Sequence, residues 1–318
     1  MKDTNKGLKI NQGSILGIIS ITLIVLIAVF THGKLFEAKS LQAIAFQLPL
    51  LGLLSLSQMA PMITGGIDLS IVSIANLSGI VTALIITHMK IWYGTYVAIF
   101  AGLTTSLIMG VLNGILVGYI GIPAIIATLG TMIFLEGVSL AITKGYVIAG
   151  FTDQFLFIGN GTLFYIPVPF IIFLGVMIFL IILLEKTRYG LSLYMMGSNP
   201  TSTLFSGVNN KAVLFKTHLL SGFFAGIAGM VMISRFNAAQ ANYGASYLLL
   251  TVLACMLGGV NPSGGSGKVL GLFVAVVVLQ VVATGFNLLG FSSYLASSLW
   301  GGILIFVIIV NRLLISKR

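Results

Sequence analysis

Apolar runs about as long as a bilayer core is thick recur from one end of this chain to the other. A spanning helix needs about 20 such residues. The runs fall at roughly 15–31, 41–62, 70–88, 95–119, 122–143, 166–184, 213–234, 246–259, 268–286 and 292–311. They predict an all-α fold, a polytopic transmembrane bundle of about ten helices. The eighth run is short, so it is expected to tilt, break or begin earlier than drawn. No connection is long enough for a separate soluble domain. Residues 1–14 read as a tail, and 15–318 as one membrane domain.

Charge supports lipid as the solvent. Only 7% of the 318 residues are charged and 58% are hydrophobic, where a soluble domain carries about a quarter charged residues. The formal net charge is +10, but the bases sit at the ends of apolar runs. That placement fits topology signals and anionic headgroups, and argues against nucleic acid as a partner. With ten spans both termini share one side. Giving that side to the cytoplasm puts 11 Lys and Arg inside and 5 outside, as the positive-inside rule prefers. The first run follows Lys2, Lys6 and Lys9 and lacks a clear small-residue cleavage site, so it reads as an uncleaved helix. Cys255 is the only cysteine, and His32, His88 and His218 form no spaced metal motif.

The longest polar loop on the inside, about 185–213, contains GSNPTSTLFSGV at 197–208. Pro200 suits a first helical position, Ser198 or Asn199 can cap it, and Gly207 can end it. A short helix over Asn199–Phe205 follows, either a docking handle for another protein or a plain connector. Glycines spaced by four (Gly110, Gly114, Gly118; Gly222, Gly226) predict closely packed helices.

The stretch TGGIDLS at 64–70 sets Gly65, Gly66 and Asp68 between two apolar runs. Irregular backbone at membrane depth survives only inside protein or beside a wet cavity. Asp68 therefore either shapes a translocation path or, with Ser70, caps the next helix. Glu136 lies near the middle of an apolar run. It can pair with a base, line the path or serve structure alone. Asn76, Asn113, Thr128, Thr131, Gln240, Asn242 and Asn287 are further polar residues in or near spans. They either join helices or face a polar solute. GGSGK at 264–268 fails the phosphate-loop pattern, since Pro262 stands first and Val269 follows the lysine. It reads as a tight turn, and the chain shows no nucleotide site of its own.

Four segments carry a family resemblance: TGGIDLS at 64–70, NGILVGYIGIPAIIATLGTM at 113–132, GSNPTSTLFSGV at 197–208 and LGGVNPSGGSGKVLG at 257–271. In that order the chain resembles the ribose-type permeases of bacterial ABC importers, including autoinducer-2-type sugar-like importers. The resemblance implies a subunit without chemistry or cofactor of its own in the bacterial cytoplasmic (inner) membrane. It implies a second permease copy or sibling, ATPase subunits that use the ATP, and an extracytoplasmic solute-binding protein. A monosaccharide or sugar-like solute would cross by alternating access. Gly65, Gly66, Asp68, Asn113, Thr128 and Glu136 are the expected path residues. Asn199, Pro200, Leu204, Phe205 and Gly207 are expected at the ATPase contact, braced by Arg188 and Tyr189. Two departures stand out: Thr201-Ser202-Thr203 replaces the family's usual Glu-Ala-Ala, and Glu136 stands where many members carry a base. Sequence physics also allows an ion-coupled secondary transporter using Asp68 and Glu136. An intramembrane enzyme would need a cluster of nucleophile, base or metal ligands that the sequence does not offer.

Overall fold

Two glycine-bearing helices run tightly against each other. A Cβ added at Gly110 would stand 2.9 Å from the His218 carbonyl, and one at Gly222 would stand 2.8 Å from Gly110 Cα. Only glycine lets the backbones approach so closely, which is how small residues join helices where lipid gives no hydrophobic drive.

The computed structural model describes Thr22, Ile24, Val25, residues 28–89 and residues 93–315. The run at 15–31 and the tail at 1–14 lie largely outside them. The helices are α1 (Ala38–Ile63), α2 (Ile71–His88), α3 (Gly94–Gly114, continued by a π-helical turn Ile115–Ile120), α4 (Ala124–Thr143), α5 (Asp153–Asn160), α6 (Val168–Lys186), α7 (Arg188–Ser198), α8 (Pro200–Phe205), α9 (Asn210–Phe236), α10 (Tyr247–Leu257), α11 (Val269–Leu288) and α12 (Ser293–Ile315). Seven of them, α1 to α4, α6, α9 and α11, are long and apolar enough to cross a membrane. The fold is an all-α, polytopic membrane bundle, and the described spans fall within a few residues of the predicted runs. The eighth run forms only the 11 residues of α10.

Burial separates a centre from a rim. The most apolar windows of α1, α2 and α9 are 78%, 72% and 67% buried, against 28% each for α3, α4 and α6. The centre is therefore α1, α2 and α9, and the other three turn broad apolar faces outward. Exposed Ile171, Ile178, Phe179 and Ile182 on α6 are what a helix against lipid should show. Its inward residue Phe173 stacks on Phe273 of α11.

One end of the bundle gathers residues 64–70, 115–123, α7, α8 and the turn 258–268. Gly265 N donates to Ile63 O at 2.9 Å, and the Tyr194 hydroxyl donates to Gly267 O at 2.7 Å. At the opposite end β1 (Ile148–Ala149) pairs antiparallel with β4 (Ala238–Ala239), with Ile148 opposite Ala239. A hairpin of β2 (Thr162–Leu163) and β3 (Ile166–Pro167) leads into α6. There Ser234 Oγ donates to Phe155 O and accepts from Gly159 N, fastening α5 to α9.

Candidate translocation and coupling sites

The break between α1 and α2 is a knot of hydrogen bonds. Thr64 Oγ1 donates to Pro61 O at 2.7 Å, Gly66 N donates to the same carbonyl at 3.0 Å, and Gly65 turns the chain with φ +83°. Only glycine takes that backbone angle readily. A Cβ on Gly66 would meet Ala124 Cβ at 2.8 Å, so α4 closes over the turn.

Asp68 is wholly enclosed. Its Oδ1 accepts from Ser70 N (3.0 Å) and Ser70 Oγ (2.6 Å). Its Oδ2 accepts from Ser221 Oγ (3.0 Å) and faces His218 Nδ1 at 3.3 Å. The Gln58 amide bonds the Asp68 backbone, donating to its O at 2.8 Å and accepting from its N at 3.2 Å. Asn113 Nδ2 donates to Ser70 Oγ at 2.7 Å, and Thr131 Oγ1 donates to Asn113 Oδ1 at 2.6 Å. Leu69 N donates to Thr128 Oγ1 at 3.0 Å. Ser57 Oγ donates to Ser221 O at 2.7 Å. The carboxylate thus links the start of α2 to α9 directly, and its neighbours in the network add α1, α3 and α4. A buried charge is tolerable only when so satisfied.

The structure brings Gly65, Gly66, Asp68, Asn113 and Thr128 into this one cluster. Ser70 stands at the N-cap of α2 but its hydroxyl caps no helix N–H; it donates to Asp68 instead, and the pair sits deep in the bundle. It is level with His218 and Ser221, eight and eleven residues into α9, or roughly 12–17 Å. Glu136 stands apart, two turns beyond Thr128 on α4. It is half-buried, just beyond exposed Ile133 and Phe134, and has no hydrogen-bond or ion-pair partner among the described residues. Nothing lies within 4 Å of a Cβ built on Gly130 or Gly137. This face of α4 is open.

His218, Ser221, Ser57 and Gln58 escaped the sequence reading. No local signal marks them, because Asp68 meets His218 across 150 residues. A histidine eight residues into an apolar helix was the one available hint.

The loop at 185–213 forms the expected short helix. Asn199 Oδ1 accepts from Ser202 N at 2.9 Å, Pro200 opens α8, and Gly207 (φ +80°) closes it by donating to Leu204 O at 3.0 Å. Leu204 and Phe205 are 61% and 87% exposed, too much for a helix that serves only its own core. Tyr189 bonds Thr217 Oγ1 at 2.9 Å, locking α7 to α9, while Arg188 is exposed. Burial pushes the Tyr189 phenol up to about 12, so it remains a neutral donor. Between α7, α8 and the glycine turn lies a cavity of about 350 Å³ lined by Tyr194, Met195, Ser198, Asn199, Ser202, Thr203, Ser206 and Gly265.

The glycine turn joins this loop to the break. Gly264 (φ +91°) is wedged so that a Cβ would stand 2.7 Å from Gly197 O and 2.9 Å from Gly65 N. Gly197 itself packs on Ile63 O. The end of α7, two residues before α8 begins, therefore touches the end of α1 and the glycine turn backbone to backbone.

A multi-helix membrane bundle with an exposed helical handle at one end has the form of a transport subunit. A family model described as "Branched-chain amino acid transport system / permease component" matches residues 40–308, and the chain belongs to that family. The chain is similar to the ribose import permease protein RbsC of Escherichia coli strain K12, 31% identical over 298 residues, 92% of each chain. It is also similar to the D-allose transport system permease protein AlsC of the same strain, 29% identical over 263 residues, 82% of this chain and 80% of the relative. LsrD, an autoinducer 2 import system permease protein of Enterobacter sp. strain 638, is 28% identical over 274 residues, 84% of this chain and 83% of the relative. No solved structure matches the chain. The protein is a multi-pass permease component of the inner membrane, and these relatives support that reading over the ion-coupled alternative.

Proposed function

We propose that this permease is the membrane half of an ATP-driven importer for a monosaccharide or a similar polyhydroxylated solute. The observation that carries the proposal is α8. It is a capped helix with Leu204 and Phe205 outside, set on a base that runs through Gly197 and Gly264 to the Asp68 knot. ATP and its hydrolysis belong to a partner ATPase that docks on α8 from the cytoplasm. The end carrying α7 and α8 is the cytoplasmic one, because the positive-inside count favours it. A second copy, or a sibling permease, covers the open face of α4 and takes Glu136 out of contact with lipid, where a carboxylate is costly. An external binding protein delivers solute to the opposite end. Asp68, Asn113 and Thr128 shape the path by fixing the break, with Gly65 and Gly66 as its turn. The sugar class comes from the relatives, whose names specify ribose, D-allose and autoinducer 2.

Uptake of labelled ribose and allose by cells carrying the complete system tests the energy source. Collapse of the proton gradient at constant ATP should leave uptake running, and ATP depletion should stop it. Uptake that stops with the gradient while ATP persists contradicts the proposal.

A further inference from the structure

The eighth apolar run forms too little helix to cross a bilayer. α10 has 11 residues, about 16 Å, or half of a hydrocarbon core. The seven residues between β4 and α10, 240–246, form no helix or strand. Their depth is fixed by neighbours. Asn76 Nδ2 donates to Ala241 O at 2.8 Å and Tyr243 O at 2.9 Å. A Cβ on Gly244 would stand 3.4 Å from Met232 Sδ. Ala75, next to Asn76, packs on Gly229. The segment is therefore level with residues 229–232 of α9, roughly 6–10 Å inside the end of that helix at Phe236.

Irregular backbone at this depth cannot face lipid, because its polar groups would go unpaired. Ala241 is buried, yet Asn242, Ala245 and Ser246 are exposed. A second observation points the same way. Asn76 is 4% exposed, and its Oδ1 is enclosed without a hydrogen-bond partner. A buried acceptor left unpaired is costly. Here it sits where the helix clasps the irregular segment, so the clasp holds an acceptor in reserve.

We infer that Asn242 and Ser246 line a water-filled vestibule on the outer side of the solute path and hydrogen-bond a polyhydroxylated solute there. An amide and a hydroxyl each both donate and accept, as sugar hydroxyls require. This rests on the transport reading above, and places the solute's first contacts on the broken crossing rather than in the sealed Asp68 knot.

The test is thiol labelling of the complete transporter in membranes. The background is Cys255→Ser, since the native thiol is buried. A charged, membrane-impermeant thiosulfonate is added from the outer side to Asn242→Cys, Ala245→Cys and Ser246→Cys. Two controls are Ala241→Cys, buried, and Ile178→Cys, on the lipid face. The thiolate is the reacting species, so water access should make positions 242, 245 and 246 react at least about tenfold faster than both controls. Three independent positions guard against one variant failing to fold. Rates equal to the Ile178→Cys control, or to the Ala241→Cys control, overturn the inference. Labelling needs neither ATPase nor solute, so this failure would leave the importer reading standing. Loss of the importer reading would not of itself alter these rates.

Discussion

At the residue scale, Asp68 concentrates the most consequence in one side chain. Removing it leaves Ser70, Ser221 and His218 without their shared acceptor. Breaking a buried charged cluster from one side costs about 3 kcal/mol or more. Asp68→Ala should therefore lower the melting temperature of the purified protein by several degrees. Adding His218→Ala should cost less than the sum of the two single changes, because the partners have already been separated. Full additivity in that cycle would mean the pair does not interact. The sequence marked Asp68 as exceptional, since a carboxylate after two glycines between spans demands an explanation. It could not name the other side of the bond. His218 lies on a helix held beside the α1–α2 break by long-range contacts, among them Ser57 Oγ to Ser221 O and the packing of Gly229 on Ala75. The same limit applied to Glu136, whose isolation depends on which face of α4 the bundle leaves open.

Elements were legible where local rules decide. The cap, proline and glycine of α8 were readable because each acts on its own turn. Spans were readable because bilayer thickness sets their length. What local rules left open was how the short run at α10 is completed, by the irregular segment before it. A short apolar run announces a fault in a crossing without saying which residues fill it. The glycine turn at 264–268 read as tight, but its place between Gly197 and Gly65 is a tertiary fact. It yields a prediction about coupling. Gly264→Ala forces a Cβ against Gly197 O in a left-handed backbone, a local cost of about 1–3 kcal/mol. Solute uptake should fall while ATPase association through α8 persists. Undiminished uptake would show that the push does not travel through this junction.

At the scale of the whole molecule, the outward faces of α4 and α6 look alike by hydropathy and differ in what they carry. α6 is apolar outward through its middle, with one open glycine, Gly175, and its charges Glu185 and Lys186 at its end, whereas α4 carries Glu136 within the span and two open glycines, Gly130 and Gly137. Gly130→Leu with Gly137→Leu should leave the thermal stability of the single chain nearly unchanged. It should reduce the fraction of permease pairs measured by native mass spectrometry, since bulk would enter the contact. Unaltered pairing would assign this face to lipid.

The central claim is that α8 receives force from a separate ATPase. Affinity purification of the chain from its native membrane in mild detergent, with mass spectrometry of what accompanies it, tests this most directly. The account predicts a co-purifying ATPase that is lost when residues 199–207 are scrambled, while the permease itself stays folded and in the membrane. A folded chain that arrives alone each time, or an ATPase that remains bound after scrambling, would contradict it.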